Sequence, residues 1–151
     1  MMMDKNGREI KTGDVVRISG AYFKTDNALY FVDNSPGDPS WSGSDYSLYR
    51  ICKNGKISKG KYTVCFWPLK SYVSDREKNA LAREWNAEHA EIEVLDGIDR
   101  TEIKGHFLNE AENASNLLDM YHSRWGWGKH SEGYIHQATI AKHYRKVADS
   151  I

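Results

Sequence analysis

KTGDVVRISGAYFKTDNALYFV, Lys11 to Val32, reads as two β-strands joined by a polar turn. Val15, Val16 and Ile18 supply the β-branched residues of the first strand, which is entered through Thr12-Gly13-Asp14. Tyr22-Phe23 extends it past Gly20, where a missing side chain marks a bulge or bend. Lys24 to Asn27 is the turn and Ala28 to Val32 the second strand. Strands of this length and bend open small β-barrels, folds that more often bind than transform.

The flanking sequence extends the pattern. Asp33 to Asp45, DNSPGDPSWSGSD, is a long Gly/Pro/Ser loop with Trp41 in its middle, and loops of this length usually have a task. Tyr46 to Cys52 alternates as a third strand, with Leu48 and Ile51 as inward anchors. Lys53-Asn54-Gly55-Lys56 carries the Asn-Gly dipeptide that favours the positive backbone angles of a hairpin. Lys61 to Trp67 is the returning strand, ended or placed at an edge by Pro68, and Ser71 to Val73 is a short last strand of this set.

Beyond it the period changes. Ser74 and Glu77 fit a capping box, opening a helix to about His89 whose apolar stripe is Leu81, Trp85 and His89, with Ala82 beside them. Glu91 to Leu95 alternates again, a strand with an acidic outer face. After Asp96, Leu108, Ala111, Ala114, Leu117, Leu118, Tyr121 and Trp125 recur at helical spacing up to Gly126 and Gly128. A last helix starts near Ser131 with the stripe Ile135, Ala138, Ala141, Tyr144 and Ala148. The expected architecture is α+β: a small antiparallel barrel over residues 1–95 with the helix 74–89 inserted, then a helical hairpin over 96–151.

Charge and composition narrow the function classes. The 151 residues carry 21 basic and 21 acidic side chains, so net charge selects no partner, but the charge is segregated. Met1 to Ser74 holds 11 basic and 7 acidic residues, whereas Asp75 to Glu110 holds 5 and 10. A dedicated duplex-DNA binder would be more basic throughout. No apolar run of membrane-spanning length and no leader pattern follow Met1-Met2-Met3-Asp4-Lys5, so a cytoplasmic protein with reduced thiols is expected.

No cofactor and no catalytic role are expected. Cys52 and Cys65 flank the hairpin without the paired CxxC knuckles of a zinc ribbon, and read as thiols in a β-core. His122, His130, His136 and His143 lack the i, i+4 spacing of a helical zinc site; His136 and His143 share a face with Ile140 and Val147 and flank an apolar seam. Gly43-Ser44-Asp45 is not a nucleophile elbow, and there is no phosphate loop or dinucleotide fingerprint. An enzyme with a scattered site would need a pocket that gathers two or more histidines.

Binding is the better reading. Tyr22, Phe23, Tyr30, Trp41, Tyr46 and Tyr49 are interleaved with Arg17, Lys24 and Arg50, and Lys53, Lys56, Lys59 and Lys61 crowd the hairpin. Single strands are bound in this way, with bases stacked on rings inside a basic groove. The same rings equally build a core, and the lysines equally solubilise a hairpin. As a nucleic-acid site, Trp41 and Tyr49 would stack while Arg50, Lys53 and Lys56 contact phosphates.

GREIKTGDVVRISGAYF resembles the first strands of SH3-like and KOW-type barrels, in which a short lead, Gly-Asp and Val-rich residues recur; Gly20 stands where KOW modules keep a glycine. The chain is also similar in style to small phage and mobile-element proteins of Gram-positive bacteria. That resemblance implies a binder of host factors, including defence nucleases. The favoured function is thus non-catalytic binding of nucleic acid or of a nucleic-acid-handling protein. The alternative is an anti-CRISPR-like inhibitor acting by protein contact or through Glu88, Glu91 and Glu93, whose clustered carboxylates imitate a phosphate backbone. The apolar C-terminal helices equally suit a homodimer interface.

Overall fold

The computed structural model describes residues 3–33, 47–58, 76–125, 128 and 132–151. Their architecture is α+β. Strands β1 (Val15–Ser19), β2 (Leu29–Asp33), β3 (Ser47–Ile51) and β4 (Glu91–Leu95) form one antiparallel sheet in the order β3-β2-β1-β4. Helix α1 (Arg76–His89) precedes β4, and α2 (Thr101–Trp125) and α3 (Glu132–Ser150) follow it. The described strands make an open sheet rather than a closed barrel. The expected returning strand Lys61–Trp67, the short strand Ser71–Val73 and the cap at Ser74 lie outside the described residues.

The period-2 patterns explain why both faces of this sheet are buried. Val16, Ile18, Tyr30, Val32, Leu48, Ile92 and Val94 point to one side, where Ile10 and Ala21 join them. Val15, Phe31 and Ile51 point to the other, where Ile103 and Phe107 of α2 and Val147 and Ala148 of α3 meet them. Leu48 and Ile51, three residues apart, therefore anchor opposite faces. Register runs Val15 opposite Phe31, and Phe31 opposite Tyr49. The Phe31 and Phe107 rings lie 5.2 Å apart, and burying one such side chain is worth about 2–3 kcal/mol.

The helical pair thus packs on the sheet and shares its core. A polar contact sits inside that interface. His143 Nε2 lies 2.6 Å from Asp33 Oδ2, with the two side chains 1% and 0% exposed. A polar contact this deep repays its desolvation only in good geometry, so it ties α3 to the end of β2 in a single register.

Three expectations change. β1 ends at Ser19 and does not run on to Tyr22-Phe23, because Gly20 turns the chain at φ +70°; the polar turn after it contains a 3₁₀ segment, Lys24–Asp26. The buried stripe of α1 is rotated from the one predicted: Ala82, expected beside the stripe, and Asn86 are fully buried, while Leu81 and Trp85 stand 55% and 45% exposed. The stripes of α2 and α3 hold at Ala111, Ala114, Ala141 and Ala148, but Leu117 and Ile135 are exposed and Ile103, Phe107, His143 and Val147 carry the contact with the sheet.

Candidate functional site

The two edges of the sheet carry the two charge clusters that the sequence singled out. β3 runs into the predicted hairpin. Cys52 N–H donates to the Lys56 carbonyl, Gly55 N–H to the Cys52 carbonyl and Ser58 N–H to the Arg50 carbonyl, while Ile57 bridges back to Ile51. Gly55 takes φ +82°, and the Asn54 side chain accepts from Lys56 N–H, which is why Asn-Gly belongs at this tip. Lys53 and Lys56 are exposed, and neither ammonium forms an ion pair among the described residues. Arg50 is half-buried on β3. Cys52 is an exposed free thiol rather than a core residue, and Cys65 lies outside the described residues.

Tyr49 is placed differently from a free stacking platform. Its ring is half-buried and meets Phe107 in a T-shaped contact at 5.2 Å and Phe31 and His106 at 6.5 Å each. Of the other rings in the interleaved set, Tyr30 is fully buried and donates its hydroxyl to the Asp26 carbonyl. Tyr22 is exposed, and Trp41 and Tyr46 lie outside the described residues. His106 beside Tyr49 has a lowered pKa, chiefly from burial and partly offset by Glu110, so its neutral ring is favoured.

At the opposite edge the acids are engaged. Glu91 and Glu93 both approach Lys5 Nζ, at 3.6 and 3.5 Å, and Arg17 of β1 lies directly opposite Glu93. Asp96 is gripped by the Arg8 guanidinium through two bonds of 2.8 and 3.0 Å. Asp99 accepts from Thr101 N–H and Oγ1 at the start of α2. Glu88 remains exposed near His89, 3.7 Å away. The N-terminal turn closes this edge: Lys5 N–H donates to the Ile92 carbonyl, and the Asp4 carboxylate accepts from Asn6, Arg8 and Val94 N–H. Bonds from backbone N–H, that of Val94 first, hold the Asp4 pKa below the usual carboxylate value. The Arg8 bond does the same for Asp96, and the Thr101 bonds for Asp99.

A third feature was not anticipated as a surface. At the end of β1, Tyr22 N–H donates to Asn86 Oδ1 and Trp85 Nε1–H to the Gly20 carbonyl, which docks α1 on the turn. Tyr22 and Trp85 meet edge-on at 6.4 Å, and Trp85 overlies His89 at 4.1 Å. The sequence signal was present, since Leu81 and Trp85 are an i, i+4 pair, but spacing does not say which face of a helix is covered. Among the described residues no group of histidine, cysteine or carboxylate side chains is arranged to hold a metal, and no helix is long and apolar enough to cross a membrane.

Compared with known proteins, the chain matches no family model, no curated protein and no solved structure.

Proposed function

We propose that the protein is a non-catalytic binding module that engages nucleic acid, or a nucleic-acid-handling protein, through the β3 hairpin and the Trp41 loop. The observation that carries this reading is the asymmetry of the two edges. Lys53 and Lys56 stand exposed and outside any ion pair among the described residues, whereas Glu91, Glu93, Asp96 and Asp99 are each engaged. Exposed lysines on a short tip are suited to phosphates, because counterions are released on contact. Arg50 would add a third cation, and Trp41 would supply the stacking ring, a role that Tyr49 fills less well because its ring is half-buried against Phe107.

An SH3-like closure belongs to the same proposal. It is supported by the strand order, with the last strand beside the first and the hairpin leading away from β3. The inhibitor reading draws less support. An acidic phosphate mimic needs carboxylates free to meet a basic partner, and Glu91 and Glu93 share Lys5, leaving Glu88 as the most open of the three.

The test is a titration of intrinsic Trp fluorescence with single- and double-stranded DNA and RNA at low and physiological salt, repeated with Lys53→Glu/Lys56→Glu and with Trp41→Ala. Saturable quenching that weakens with salt is expected, with both variants weaker. Absence of any signal at low salt, or variants that bind as well as the parent, would overturn the reading. Neutralising Glu88, Glu91 and Glu93 to Gln is expected to leave nucleic-acid binding intact or improved; loss of a nuclease-inhibiting activity in that variant would favour the alternative instead.

A further inference from the structure

Two surfaces stand open among the described residues, and they are complementary. The first is the outward face of α1. Leu81 and Trp85, one helical turn apart, are 55% and 45% exposed, and the exposed Glu84 and Glu88 flank them on the same face. Ala82 and Asn86 take the inward face, and Trp85 gives the dock its indole N–H, which leaves Leu81 and much of the Trp85 ring exposed. The Trp85 indole is also oriented, its N–H bonded to the Gly20 carbonyl and its ring set against His89, so little side-chain freedom is lost when a partner covers it.

The second is an open groove of about 630 Å³ between α2 and α3. Leu118, Tyr134 and Ala138 form its floor, and Lys142, Arg145 and Lys146 its rim, with Asp149 the lone acid. Its position follows from helix length. α2 is 25 residues long, about 37 Å, while the strands are 5 residues, about 17 Å. Among the described residues the sheet meets α2 in its first turns, at Ile103 and Phe107, and α3 at Val147 and Ala148, while the groove reaches along α2 to Ser115 and Leu118.

We propose that these two surfaces bind each other between copies of the chain: the α1 face of one molecule lies in the α2–α3 groove of a second. The mode is a helix laid in a groove, read by anchors at i and i+4. Leu81 and Trp85 enter the apolar floor, and Glu84 and Glu88 meet the cationic rim. Charge complementarity selects this occupant. The groove rim carries three cations and one carboxylate, and the α1 face presents two carboxylates beside its apolar anchors. This contact is independent of the β3 hairpin and of whether the protein binds nucleic acid.

Sedimentation velocity of the full chain over a concentration series tests it. The parent is expected to associate reversibly. Lys142→Glu/Lys146→Glu and Glu84→Lys/Glu88→Lys are each expected to weaken association about tenfold or more, as close interfacial charge pairs do. Mixing the two variants is expected to restore it to near the parental level, because each then offers the face the other needs. Leu81→Ser, at an exposed position, is expected to weaken association with unchanged circular dichroism, separating the contact from any folding defect. A parent that stays monomeric throughout, association indifferent to both charge reversals, or a mixture no tighter than the variants alone would overturn the proposal. So would a monomer whose groove instead takes up an added acidic amphipathic peptide, since the occupant would then be a foreign helix.

Discussion

The two edges of the sheet solve the same problem by different chemistry. An edge strand exposes unpaired backbone groups and has to be covered. At the β4 edge one backbone bond, Lys5 N–H to the Ile92 carbonyl, is joined by side-chain charge: the Asp4 carboxylate accepts from Val94 N–H, Lys5 reaches Glu91 and Glu93, and Arg8 grips Asp96. At the β3 edge the cover is backbone on backbone, with Cys52, Gly55 and Ser58 N–H all donating to main-chain carbonyls. One consequence is that side-chain charge is consumed at the first edge and left over at the second. Glu91, Glu93, Asp96 and Asp99 are tied into the fold, whereas Lys53 and Lys56 form no ion pair among the described residues, which is what the proposed function rests on.

The largest expected effect breaks what both edges share. His143→Ala removes the imidazole from Asp33 inside the α3–sheet interface and is expected to cost about 3–5 kcal/mol in urea denaturation. Both edges should lose amide-exchange protection together. A cost below about 1 kcal/mol would mean that α3 is held by apolar contacts alone.

A smaller effect is expected from Gly20→Ala. A Cβ there would lie 2.7 Å from the His89 carbonyl oxygen on a backbone at φ +70°, and the strain should cost about 2 kcal/mol. The damage should fall on the α1 junction next to β4, seen as altered Trp fluorescence, with the hairpin amides unaffected.

Acidification should separate the edges. Asp4, Asp96 and Asp99 all have pKa values lowered in the folded state. Their contribution is therefore present above the ordinary aspartate value of about 4 and is lost as pH falls through the lower folded value. The amide of Val94 should lose protection in that range before those of Cys52 and Ser58, measured by hydrogen exchange along a pH series. Simultaneous loss would show that the charges are not what closes the β4 edge. His106 works in the same direction at higher pH. Its neutral form is favoured, so protonation below about 6.5 opposes folding beside Tyr49.

The smallest effect on stability, and the sharpest on function, belongs to the hairpin. Lys53→Glu/Lys56→Glu should leave the melting temperature unchanged while lowering the slope of log affinity against log salt by about two for any nucleic acid bound.

Much of this was legible in the chain before folding. Alternation marked β1, β2, β3 and β4, Asn54-Gly55 marked the hairpin, and helical spacing marked three helices, because backbone propensity and side-chain period act locally. What failed were statements about which side faces what. Leu81 and Trp85 look like a core stripe by spacing, yet Asn86 takes the inward position because the Tyr22 amide at the end of β1 needs an acceptor there. Glu91 and Glu93 read as an open acidic face until Lys5, more than eighty residues earlier, is brought beside them.

The sequence by itself determined the kinds of element, their order and the positions of the turns, since these depend on residues within a few positions of one another. Tertiary structure alone decided that both sheet faces are buried, that Asp33 meets His143 across 110 residues, and which charges remain unspent. The physical reason is that pairing and burial are properties of distant segments brought together, and no local period encodes which partner arrives.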